Sequence, residues 1–113
     1  MQETIAKVLK FRDERDWQQF HDPKSLAASI CIEAAELLEL FQWLAPDEAR
    51  RQVVEKKERV AEEIADVAIY LIELADVAGI DLAAAIAAKL EKNAAKYPVD
   101  KSRGVWTKYT ELK

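Results

Sequence analysis

At 113 residues the chain has room for one domain with a modest core and is too short for two. Half of its residues are hydrophobic and 34% are charged, with two glycines and three prolines. This profile excludes a disordered or sheet-rich chain and predicts an all-α one. Lys and Arg number 17 against 21 Asp and Glu, a net charge of −4 that speaks against a nucleic-acid partner.

The first helix is expected over about residues 4–15. Ile5, Val8, Leu9 and Phe11 mark its apolar side, and Lys7, Lys10 and Arg12 face outward. The opening stretch lacks the continuous apolar core of a signal peptide. Asp16 to Asp22 breaks the helical period and reads as a loop carrying Trp17 and Phe20. Asp22 followed by Pro23 is a helix start, a capping carboxylate before a proline in the first turn. The second helix is then expected over 23–43. Within it, Cys31 is the single cysteine, which excludes an internal disulfide and fits a reducing cytoplasm. Its neighbours Ser29, Ile30 and Ile32 predict a buried, unreactive thiol.

Pro46 with Asp47 and Glu48 repeats the start signal. The third helix is expected over 46–78, open to interruption in the charged stretch from Glu55 to Arg59. Its second half, Ala65 to Ala78, is apolar nearly all round, more than a chain of this size covers alone, and so predicts a subunit interface. The longest apolar run, Val67 to Ile72, is far short of the roughly 20 residues of a membrane span. The expectation is a cytoplasmic protein with no membrane partner. Asp81 caps a fourth helix over 81–96, and an extended tail, 97–113, carries Trp106 and Tyr109.

Two carboxylate pairs stand out against this background. Glu33 and Glu36 form an ExxE, and Glu63 and Asp66 an ExxD. The i, i+3 spacing sets each pair on one helix face, one turn apart. Leu26, Ile30 and Leu37 flank the first, and Val60, Ile64, Val67 and Leu71 the second. Like charges on a half-buried face repel one another and lose hydration, which a hard divalent cation with oxygen ligands offsets. A solvated acidic face is the other reading of each pair. Four carboxylates without histidine suit Mg2+, with Mn2+ as a substitute, rather than zinc. Di-iron helical sites add Glu-x-x-His ligands, and the one histidine, His21, lies outside both motifs.

Lys89, Asn93 and Lys96 form one stripe at i, i+4, i+7, suited to phosphate or sugar oxygens or simply to solvent. Tyr70 falls on the carboxylate stripe, as a ligand contact or an interface tyrosine. Trp17 and Trp43 lie near helix ends, where indoles stack on a nucleobase or cap a core.

Taken in order, the motifs resemble the MazG-like all-α nucleoside triphosphate pyrophosphatases, closest to the dCTP pyrophosphatase branch. The residues that carry the resemblance are Phe11 to Trp17 (FRDERDW) with Phe20-His21, Glu33 to Glu36 (EAAE), Glu39 to Trp43 (ELFQW), Glu63 to Asp66 (EIAD), Ile69-Tyr70-Leu71, Lys92-Asn93, Tyr97-Pro98 and Lys108 to Leu112 (KYTEL). It covers nearly the whole chain. It implies a single MazG-like domain over 1–113, a four-helix bundle-type subunit that assembles as a dimer or a dimer-of-dimers tetramer.

The implied activity is Mg-dependent hydrolysis of a nucleoside triphosphate, dCTP-like by preference, to the monophosphate and pyrophosphate, a house-cleaning role. Carried over, Glu33, Glu36, Glu63 and Asp66 hold magnesium, and Glu36 or Glu39 positions the attacking water. Trp17, His21 and Trp43 line the base pocket, and Tyr70, Lys89, Asn93 and Tyr97 contact sugar or phosphates. Ile32 stands where relatives often carry glycine, and the connection after Trp43 lacks an insertion of some relatives. A phosphoribosyl-ATP pyrophosphatase-like enzyme would share the acidic motifs without needing the two tryptophans. A non-enzymatic helical interaction module would explain the apolar faces but leaves the carboxylate pairs without a purpose.

Overall fold

The computed structural model describes residues 1–112, all of whose regular elements are helical. The chain divides into two compact units, the first Met1–Ile80 and the second starting at Asp81. Among the described residues no helix is long and apolar enough to cross a membrane.

The first unit opens with α1, Gln2–Glu14. Asp16 then takes a left-handed conformation at φ 54°, which turns the chain into a short 3-10 helix, Trp17–Phe20, where a plain loop was expected. Arg12 was expected to face outward but is buried on α1. Its Nε donates to Asp13 at 2.9 Å and its Nη1 to Asp76 at 2.8 Å, so a long-range ion pair draws it inward. Burial opposes the guanidinium charge, and the hydrogen bonds to Asp13 and Asp76 outweigh it, raising the pKa.

Helix α2 runs Pro23–Glu39. Asp22 accepts from the backbone N–H of Ser25 at 2.9 Å and from its hydroxyl at 2.6 Å, and these bonds hold its carboxyl below the ordinary carboxylate range. The helix stops four residues before the expected Trp43. The N–H groups of Leu40 and Phe41 reach carbonyls three residues back, at Leu37 and Leu38, and the chain tightens into a turn. Extended backbone at Ala45, ψ 158°, then meets Pro46, whose ring disfavours helix before it. Cys31 is exposed, not buried as expected. Only the stripe of α2 that contains Leu26 is deeply covered, and Cys31 and Ile32 lie off it.

The long third helix of the sequence reading is two, α3, Pro46–Glu55, and α4, Lys57–Val77. Lys56 at φ −116°, ψ 35° breaks them without glycine or proline. No apolar residue stands between Val54 and Val60 to hold one continuous buried stripe across the break. The Gln52 side chain donates to the Leu40 carbonyl at 3.2 Å and ties α3 to the turn after α2. Packing is chiefly α2 on α4, with α1 and α3 adding smaller contacts to α4. The core is small: Leu26 from α2 with Val60, Ile72 and Ala75 from α4.

The second unit contains α5, Leu82–Lys96, capped by Asp81, whose side chain accepts from Ala84 N–H at 3.0 Å. The tail is not simply extended. Pro98 leads into α6, Val99–Ser102, and a 3-10 turn spans Tyr109–Glu111. Four- and three-residue turns are too short to show a period in sequence.

Candidate active site

Helix α2 contributes Glu33 and Glu36 and helix α4 contributes Glu63, and one carboxylate oxygen from each lies within 4.8 Å of the others. The packing of α2 on α4 brings the two motifs together, so residues 27 or more apart in sequence share one spot. Glu63 is buried. Arg59 Nε stands 3.1 Å from its Oε1, while its Oε2 and the Oε2 of Glu33 are buried without a hydrogen-bond partner. The Glu33 carboxyl is raised above the ordinary range, first by burial, then by its hydrogen bond to Glu36 and by repulsion from Glu36, Asp66 and Glu63. Orphaned carboxylate oxygens that repel one another are the donor set that a hard divalent cation satisfies.

Asp66 lies outside the group of three, though its charge acts on Glu33. It lines a neighbouring pocket of about 370 Å³ with Trp17, His21 and Tyr70, all four expected at the site. Phe11, expected only on the apolar side of the first helix, and Glu73, assigned no role from sequence, line it too. Phe11 and Trp17 meet edge to face, ring centres 5.8 Å apart, and the Arg15 guanidinium lies 3.6 Å over the Phe11 ring. Glu73 is only 5% exposed, and its Oε2 is 3.4 Å from His21 Nδ1.

Other expected residues stand apart. Trp43, in the turn after α2, is 87% exposed and does not line this pocket. Glu39 is the last residue of α2, exposed, one turn past Glu36. Lys89, Asn93, Lys96 and Tyr97 belong to the second unit. Lys89 is exposed and Asn93 half-buried on α5. Lys96 Nζ lies 4.7 Å over the Tyr109 ring, and Tyr97 meets that ring edge to face at 5.9 Å.

An all-helical chain with a three-carboxylate cluster on two packed helices is the class that fold and site define. The MazG-like family profile matches residues 28–112, and the chain belongs to that family. It is 46% identical over 113 residues to dCTP pyrophosphatase 1 of Rattus norvegicus and 43% identical to dCTP pyrophosphatase 1 of Homo sapiens, in each case over 97% of this chain. It spans 66% of the length of each of these two relatives. Among solved structures, a pyrophosphatase from Archaeoglobus fulgidus DSM 4304 is similar at 50% identity and TM-score 0.81, covering 87% of this chain and 92% of that one.

Proposed function

We propose that this protein is a magnesium-dependent nucleoside triphosphate pyrophosphatase that cleaves dCTP-like substrates to the monophosphate and pyrophosphate. The observation that carries the reading is the convergence of Glu33, Glu36 and Glu63, with two buried oxygens left without partners. The named activity of the relatives supports the choice of substrate.

Glu33, Glu36 and Glu63 would hold the cation, with Asp66 at the edge of the pocket as a further ligand. A divalent cation bound there supplies Lewis-acid polarisation of the phosphoryl oxygens and neutralises charge on the leaving pyrophosphate. Glu36, inside the cluster, or Glu39, one turn beyond it, takes the proton of the attacking water. Trp17 and Phe11 offer apolar ring surface to the nucleoside, and Tyr70 meets the sugar. The active form is a homo-oligomer in cells' cytoplasm, clearing surplus or non-standard nucleotides.

Pyrophosphate release from a panel of dNTPs tests the reading, with magnesium present and with a chelator. Hydrolysis of dCTP that stops on chelation is expected. Glu36→Gln and Asp66→Asn are expected to lower kcat/KM by about 100-fold or more while the helical circular dichroism is unchanged. Release from no nucleotide would refute the enzyme, and full activity in both variants would refute the ligand assignment.

A further inference from the structure

Glu73 is a buried acid that makes no hydrogen bond through Oε2. It sits in an apolar run of α4 between Ile72 and Leu74, 5% exposed, and it is one of the residues that line the pocket. The nearby buried cation, Arg12, directs its hydrogen bonds to Asp13 and Asp76 and gives none to Glu73. Glu73 Oε2 and His21 Nδ1 face each other at 3.4 Å, and both are buried without a hydrogen-bond partner. Burying such a group unsatisfied is costly, and a fold retains it where a ligand completes it.

Its position on α4 says what kind of ligand. Asp66, Tyr70 and Glu73 follow i, i+4, i+7 spacing and all line the same pocket. Seven residues at about 1.5 Å rise set Asp66 and Glu73 roughly 10 Å apart along the helix. That is a span comparable with a nucleoside, phosphate end to outer edge of the base. Asp66 marks the end beside the acidic cluster, so Glu73 and His21 mark the end where a base would finish, in the pocket that Phe11 and Trp17 also line.

On the reading of the protein as a nucleotide pyrophosphatase, on which this inference rests, we propose that Glu73, held against His21, is the base-reading residue. It accepts a hydrogen bond from the exocyclic amine of a 4-aminopyrimidine and disfavours the 4-oxo analogue. Oε2 is turned toward His21 Nδ1, and Oε1 is the oxygen offered to the base as an acceptor. An acceptor meets the amine of cytosine favourably and the O4 carbonyl of uracil unfavourably. A site built around a buried hydrogen-bonding group discriminates more sharply than an apolar one, because the wrong base leaves that group unpaired.

The test compares dCTP with dUTP, which differ in the pyrimidine at this position. Wild-type protein is expected to favour dCTP in kcat/KM. Glu73→Ala and the isosteric Glu73→Gln are expected to lower the dCTP-to-dUTP ratio by roughly 10- to 100-fold, with His21→Ala moving it in the same direction. A second arm measures calorimetric binding of dCMP and dUMP with chelator present, so that base reading is seen without turnover. Active variants with an unchanged ratio would overturn the role of Glu73 and leave the enzyme intact. An inactive wild type that still prefers dCMP, and loses that preference in Glu73→Gln, would overturn the activity and keep the role. An inactive wild type that binds neither monophosphate would overturn both.

Discussion

At the scale of the residue, the two carboxylate motifs were legible because spacing alone places Glu33 beside Glu36 and Glu63 beside Asp66. Which of the four converge was not legible, since that depends on how α2 meets α4. Glu73 went unassigned although its signal was present, a lone acid inside an apolar run. Its neighbours made the stretch read as interface. Arg12 was misplaced for a related reason: its partner Asp76 lies 64 residues on, beyond any local pattern. Burial raises the Glu73 carboxyl above 4.5, with the charges of His21 and Arg12 pulling it back. In the window from 4.5 up to the raised value, the native state holds this proton and the unfolded state does not. The unfolded state therefore binds fewer protons there, and stability falls as pH rises. Glu73→Gln cannot ionise, so it is expected to be more stable than wild type above this window and to lose that advantage below about pH 4.5. Urea denaturation of both proteins from pH 4 to 8 measures the gap, and a gap independent of pH would mean that Glu73 is not shifted.

At the scale of the element, the starts of α2, α3 and α5 were readable, and the end of α2 was not. Asp22-Pro23 and Asp81 announce starts because a side-chain acceptor and a fixed φ act within three residues. The end of α2 carries no glycine. It depends on carbonyls shared three residues back and on the backbone demanded by Pro46, so the apolar Leu40 to Trp43 reads as more helix. The break at Lys56 was open to suspicion from charge, but only the φ and ψ of that residue divide α3 from α4. What positions the cluster is the seating of α2 on α4, and Leu26 is its most buried side chain. Leu26→Ala is expected to cost about 2–5 kcal/mol of stability. Leu90→Ala, on an exposed position of α5, should stay within about 0.5 kcal/mol. Equal losses in the two variants would show that Leu26 does not anchor the packing.

At the scale of the whole molecule, the balance of apolar surface favours association. Leu26, Val60, Ile72 and Ala75 are the buried hydrophobic residues, while Leu38, Val53, Val54, Ile64 and Leu71 are exposed in the same unit. An apolar groove gathers part of this surface, lined by Leu37, Leu38, Phe41 and Val53 with Val60 and Ile64. The sequence carried this signal in the all-round apolar second half of α4, and the groove adds the end of α2 to it. A surface of this kind loses water favourably against another apolar surface, at about 25 cal/mol per Å² removed. A second copy is the partner the resemblance implies, and charge placed in the groove would have to be desolvated on pairing. Light scattering is therefore expected to give an oligomer for wild type. Leu38→Glu and Ile64→Glu are expected to shift it to monomer at micromolar concentration, with the helical circular dichroism retained. A monomeric wild type, or variants that associate as tightly as wild type, would assign the groove some other purpose.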